Sequence, residues 1–275
     1  VTLSWRPAGS SGDASWKNVE FTVKRNSQRI RRLVPLEGNR LFALAESYGQ
    51  AVVYDLKSKK RIALGDSNLS TYSMTSQGSK VYMSGYPSTQ IWEYDDTRPW
   101  TYNEVQTLWG SKPDEEPASN EMSEAPTENP RFGARLGRQY RMHTPLAGTL
   151  VGSDGKVYTA GIIIRIGDGG ALAWWDPKTN EEGGLIEPFT AYRPYWIAGV
   201  SDGQADNRYI VLSTKPTVDD ADSSHTPDRG RLFVFDVAAQ KITYLIDPPD
   251  EMRALGPVAA AGPHVGVGMA TGKDS

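Results

Sequence analysis

An all-β fold of the β-propeller kind, with about five four-stranded blades in one domain spanning 1–275, is predicted by three observations. A two-strand unit ending in an aromatic-Asp pair recurs four times, apolar strands can be placed before such units, and the two chain ends carry complementary fragments of a further unit. Similarity repeating at intervals of tens of residues means that each unit buries its faces against its neighbours.

Each unit has a short β-branched and aromatic run, a loop, and a second run closing on an aromatic residue and Asp. The first is 40–45 with 51–55, ending Tyr54-Asp55. The second is 80–84 with 90–95, ending Tyr94-Asp95. The third is 156–160 with 171–176, ending Trp175-Asp176, and the fourth is 208–212 with 231–236, ending Phe235-Asp236. Period-2 alternation marks strands, and Asp followed by Lys, Asn, Thr or Gln marks the turn after them. A further strand follows the turn, as in 241–246, and apolar inner strands lie at 71–74, 145–150, 195–200 and 257–261. Four antiparallel strands per unit make a propeller blade, with a β-sandwich with regular turns as the competing architecture.

At the C-terminus, 264–270 matches the second strand of a blade; at the N-terminus, 2–7 matches the third strand and 16–23 supplies a fourth. A fifth blade stitched from both ends would close the ring and hide two sheet edges. The alternative is a part of a six- to eight-bladed ring whose further blades or domains belong to a longer chain. Two irregular insertions interrupt the pattern, at 110–141 and 216–229.

A formal net charge of -3 and a pI near 5.7 argue against a broad attraction to nucleic acid or to an anionic membrane. With no cysteine, disulfides, Cys-based zinc sites and thiol nucleophiles are excluded. No run of 18 apolar residues exists. The chain starts at Val1 rather than Met, which reads as a processed or excised segment; the compartment stays open, with a secreted or periplasmic one favoured.

The units resemble the repeats of streptogramin-lyase-like and WD-like propellers. The matching stretch is His143-Thr144-Pro145-Leu146-Ala147, then Asp154-Gly155-Lys156-Val157-Tyr158-Thr159. The resemblance implies the fold rather than an activity. The lyase family's catalytic His and Glu pattern has no match elsewhere in the chain, so none of those roles is carried over.

In a propeller the loops leading into the innermost strands line one mouth of the channel. Those positions are Tyr72, His143, Tyr192, Arg193, Tyr195 and Arg253. Arg pairs carboxylates bidentately and Tyr stacks, so this ring of side chains suits an anionic or sugar-like ligand. His143, His225 and His264 are the three histidines, and His143 is the best placed of them as an acid-base group. In the longer insertion, an acidic, Pro-rich first part precedes Arg131, Arg135, Arg138 and Arg141, either a lid or docking loop or a solvated surface. Residues 219–228 concentrate oxygen ligands suited to calcium but lack the Gly and Glu of an EF-hand loop; no other metal or cofactor is expected. The GxGxxxG at 266–272 has no helix after it, and no Walker loop, GxSxG or HExxH occurs.

Two functions follow. One is a recognition module binding a saccharide or protein ligand at the channel mouth. The other is a propeller lyase or hydrolase acting on an anionic polysaccharide, with His143 as acid-base and Arg193 or Arg253 neutralising a carboxylate.

Overall fold

The computed structural model describes residues 2–5, 17–20, 30–45, 49–66, 70–101, 128–137, 139–163, 169–217, 229–249, 254–261 and 264–270. No helix occurs among them. The chain opens with a two-stranded pair, β1 (Thr2–Trp5) and β2 (Lys17–Glu20).

Four sheets of four antiparallel strands follow. Blade 1 is β3 (Ile30–Leu36), β4 (Arg40–Ala45), β5 (Gln50–Asp55) and β6 (Lys60–Asp66). Blade 2 is β7 (Ser70–Gln77), β8 (Lys80–Tyr86), β9 (Gln90–Asp95) and β10 (Arg131–Arg135). Blade 3 is β11 (Thr144–Val151), β12 (Val157–Ile162), β13 (Gly170–Trp175) and β14 (Glu182–Leu185). Blade 4 is β15 (Tyr192–Val200), β16 (Tyr209–Pro216), β17 (Leu232–Asp236) and β18 (Lys241–Ile246). A last pair, β19 (Ala254–Ala261) and β20 (His264–Ala270), begins a fifth unit. The first strands stand side by side in series, β3 against β7, β7 against β11, β11 against β15 and β15 against β19. That succession of inner strands around an axis, each heading its own sheet, is the propeller arrangement.

Local chemistry explains the strand ends. Gly38 and Asn39 turn β3 into β4 at φ of 73° and 59°, the paired left-handed residues a tight hairpin requires. After each third strand the Asp carboxylate accepts backbone N–H groups of the turn. Asp55 Oδ1 takes Lys57 N at 2.9 Å and Ser58 N at 2.7 Å, Asp176 takes Lys178 N at 2.8 Å, and Asp236 takes Ala239 N at 2.8 Å. Three of these turns close on a left-handed residue, Lys59, Asn180 and Gln240, four positions after the Asp.

The core lies between blades. Val81 and Met83 of β8 pack with Phe42, Leu44 and Val53 of blade 1, whereas the intervening Tyr82 packs toward Val157, Ala171 and Trp175 of blade 3. Middle strands are thus buried on both faces, which is why their sequences are nearly continuous apolar runs. A third cluster joins Tyr158 and Leu172 to Ile210, Leu212, Phe233 and Phe235 of blade 4. Aromatic pairs wedge these seams, with Phe42 on Tyr94 at 5.3 Å, Tyr82 on Trp175 at 6.4 Å and Tyr158 on Phe235 at 5.7 Å.

The structure corrects two expectations. First, the span 110–141 is not irregular throughout: 131–135 is β10, the outer strand of blade 2, hydrogen-bonded to β9. Arg131 is drawn into it by Glu93, with Nε to Oε1 at 3.1 Å and Nη2 to Oε2 at 3.2 Å, and by the Trp175 ring 5.2 Å away. Second, the chain ends form two separate two-stranded sheets, β19 with β20 and β1 with β2, rather than one four-stranded blade among the described residues.

Candidate functional site

Each of the five inner strands breaks register with its second strand near its start. In β3 the break falls between Ile30 and Arg32, leaving Arg31 unmatched. In β7 it leaves Tyr72, between Thr71 and Ser73, and in β15 it leaves Tyr195, between Pro194 and Trp196. In β11 the break spans Thr144 to Gly148, and in β19 it spans Leu255 to Val258. A bulge places an extra residue on one strand, bends it and re-aims side chains, which is why bulges gather at rims and sites. The bulges recur at one end of every inner strand, and three of them single out Arg31, Tyr72 and Tyr195.

The bulged residues of adjoining blades touch. The Arg31 guanidinium lies 4.5 Å over the Tyr72 ring. Arg32 clasps the same corner, its Nε donating to Tyr72 O at 2.7 Å and Nη1 to Arg31 O at 3.0 Å. Burial, and then the charge of Arg31, lower the Arg32 pKa from its ordinary value, although a guanidinium so placed stays protonated. On blade 4, Tyr195 and Trp196 tilt against each other at 5.6 Å, with Lys215 Nζ 5.1 Å from the first ring and 6.0 Å from the second. Lys215 of β16 stands directly opposite Arg193 of β15. Like charges facing each other across a strand pair are destabilising, and among the described residues neither cation has a carboxylate partner. Arg193 Nε is buried without a hydrogen bond.

Arg31 and Lys215 thus lie over half-buried aromatic rings, and Arg193 and Lys215 are cross-strand neighbours at one end of blade 4. Cations of this kind can receive an anion, and the rings offer faces to a sugar or another flat partner.

Of the residues singled out from sequence, Tyr72, Arg193 and Tyr195 stand at this end of β7 and β15. His143 stands just before β11, its ring edge-on to Tyr86 at 4.8 Å and its backbone N–H donating to Ile162 O at 3.0 Å. Tyr192 does not belong to the rim. It is 7% exposed, and its ring packs on Phe233 at 5.2 Å within the seam between blades 3 and 4. Arg253 and the 219–228 loop lie outside the described residues, as does His225. No group of three metal-ligating side chains occurs among the described residues. Arg31, Arg32, Trp196 and Lys215 were not named from sequence as site residues; like charges at the start of an inner strand were the available signal.

Behind the mouth, buried hydroxyls join neighbouring blades. Ser73 bonds Thr149, Ser84 bonds Thr159 at 3.2 Å, and Ser213 donates to Gly256 O at 2.9 Å. Burial, the largest cause, raises the phenol pKa of Tyr82, Tyr94 and Tyr158, but all three lie in the seams, away from the mouth. A separate cleft of about 190 Å³ between blades 3 and 4 is lined by Leu172, Trp174, Gly184, Leu185, Phe235 and Gln240. Its Trp174 ring carries Lys156 Nζ at 3.9 Å.

No family model matches the chain, and no curated protein matches it. Solved structures share its architecture at low identity. Hydrazine synthase from Kuenenia stuttgartiensis is 14% identical with a TM-score of 0.59, over 92% of this chain and 59% of that one. Virginiamycin B lyase from Staphylococcus aureus is 11% identical with a TM-score of 0.53, over 92% of this chain and 67% of the other. The β-propeller domain of the Trilobed protease from Pyrococcus furiosus, described as having an open velcro topology, is 12% identical with a TM-score of 0.50, over 94% and 67%. The chain therefore spans 59% of the hydrazine synthase chain that it matches. At such identities the likeness is one of fold, and the fold is a β-propeller.

Proposed function

We propose that this propeller is a recognition module whose mouth takes an acidic saccharide. The observation that carries the reading is the pairing of Arg193 with Lys215, two cations directly opposite each other beside the Tyr195 and Trp196 rings. A site that keeps like charges together without a carboxylate between them is poised for an anion, and aromatic faces beside it suit the apolar face of a sugar ring. Arg31 over Tyr72 repeats the cation-aromatic arrangement on blade 1 and blade 2.

The test is a titration followed by tryptophan fluorescence, with uronic-acid oligosaccharides and their neutral counterparts. Wild type should bind the acidic series at least about tenfold more tightly, a difference of about 1.4 kcal/mol. Lys215→Glu should lose that preference while keeping the wild-type unfolding midpoint. Equal affinity for both series, or unchanged affinity in Lys215→Glu, contradicts the reading. An acidic peptide that binds better than any saccharide would shift the ligand class to protein.

A second reading rests on His143, which stands at the same end of its blade as the bulged residues. An enzyme acting on the same polymer would use its imidazole as acid-base group, with Arg193 or Arg253 against the carboxylate. A β-eliminating enzyme leaves an unsaturated product that absorbs in the ultraviolet. Absorbance that grows with wild type and is lost in His143→Ala supports this reading; binding without such a product leaves the recognition module.

A further inference from the structure

The two arginines of β10 differ in their partners. Arg131 has a carboxylate, since its Nε and Nη2 donate to Glu93, and Nη2 donates also to Pro177 O at 2.9 Å. Arg135 is half-buried, its Nε is shut from solvent without a hydrogen bond, and it makes no ion pair among the described residues. Burial alone acts on its guanidinium, lowering the pKa from its ordinary value. A buried donor without an acceptor has lost its hydration and gained nothing in return, so in folded proteins such a group calls for an explanation.

Register places Arg135 in a row of such groups. It stands opposite Gln90 of β9, Gln90 opposite Gly85 of β8, and Gly85 opposite Thr71 of β7. The bulges of β10 and β7 fall at Gly133 and Tyr72, beside the row and not in it. Residues opposite each other in a sheet share a face, and so do alternate residues of one strand. Trp92 and Met83, next on that face after Gln90 and Gly85, pack with Phe42, Leu44 and Val53, so the row faces blade 1. Gln90 is 1% exposed, and the Trp92 indole N–H donates to its Oε1 at 3.1 Å, which fixes the amide and leaves Nε2 as its other end. That Nε2 is buried without a hydrogen bond, and so is Thr71 Oγ1. Between them Gly85 sets no side chain over the row, and a glycine inside a strand marks a place where a ligand can approach closely.

We propose that Arg135 and Gln90 form a carboxylate-binding site on the face of blade 2 that looks toward blade 1. A guanidinium presents two N–H groups side by side, matched to the two oxygens of a carboxylate, and Gln90 Nε2 adds a further donor. The ligand's charge is the counter-ion that Arg135 lacks. Strands lie about 4.8 Å apart, so Thr71 is about 10 Å from Gln90 across the row, beyond the same carboxylate, and extends the site for a longer ligand. The site uses none of the blade 4 cations and does not depend on the function proposed above.

Nuclear magnetic resonance titration of the isotope-labelled chain with acetate, at constant ionic strength, tests the proposal. The Gln90 side-chain amide and the Trp92 indole N–H should shift and saturate along one binding curve, because an acceptor at Nε2 polarises the hydrogen bond at Oε1. Arg135→Gln should weaken that binding at least about tenfold, the loss of a charge-assisted pair. Gln90→Glu supplies the carboxylate from the chain itself, so acetate should no longer shift the Trp92 indole N–H, which can still donate to the new side chain. Lys215→Glu should leave the response at wild-type strength. Shifts that never saturate, equal binding in wild type and Arg135→Gln, binding that survives Gln90→Glu, or a response lost in Lys215→Glu overturns the proposal.

Discussion

A single extra residue in a strand decides which way the side chains around it face. Period-2 alternation along β15 would give Arg193 and Tyr195 one face and Tyr192, Pro194 and Trp196 the other. The bulge at Tyr195 shifts that alternation by one, so Trp196 lies beside Tyr195 under Lys215. Tyr192, before the bulge, keeps its place in the core. The aromatic and basic character of the strand starts was legible in the residues themselves, and Tyr72, Arg193 and Tyr195 were singled out that way. The bulges were not, because nothing in a run such as Arg193-Pro194-Tyr195-Trp196 distinguishes an extra residue from an ordinary one. At the same scale, Gly133 in the bulge of β10 lies beneath Trp175, where an added Cβ would stand 2.8 Å from the ring. Gly133→Val should therefore lower stability by about 1–3 kcal/mol through overpacking. Urea unfolding at neutral pH measures it, and a wild-type midpoint would mean that the Trp175 seam yields freely.

Elements ending in Asp were the most legible feature of the chain, because the turn chemistry is local: a carboxylate, two or three residues, and a return strand. The same turns set the response to acid. The N–H of Ser58 lowers the Asp55 pKa from its ordinary value. At Asp95 and Asp236 burial pushes the other way but is outweighed, by Thr97 at the first and by Ala239 and Arg208 at the second. Since these folded values lie below the unfolded value of about 3.9, their contribution is complete above about pH 4 and is lost as pH falls below it. Unfolding midpoints in urea should be level from about pH 7 to pH 5 and drop on going to about pH 3, and Asp55→Asn should flatten part of the drop. A midpoint that rises toward acid would contradict the assignment. β10 was missed because its five residues carry two arginines and a glycine and follow a long acidic stretch. What makes it a strand is tertiary, namely the Glu93 carboxylate and the Trp175 ring that receive Arg131.

Over the whole molecule, stability comes from seams rather than from one centre. Three apolar clusters join blade 1 to 2, 2 to 3 and 3 to 4, and the strands that supply them are buried on both faces. Repetition made the propeller legible, because a pattern seen four times outweighs the ambiguity of any one strand. The ends were less so: a half-unit looks the same whether it pairs with the other end or with something else, and here β19–β20 and β1–β2 are separate sheets. The seams fix where the inner strands start, and the proposed function takes Arg31, Tyr72, Tyr195 and Lys215 of three blades to share one rim. Crystals soaked with an acidic oligosaccharide test that placement most directly. Ligand density should lie across the starts of β3, β7 and β15, against the Tyr72 and Tyr195 rings and within ion-pairing distance of Lys215. Density confined to the cleft beside Trp174, with the bulged rim bare, would contradict it.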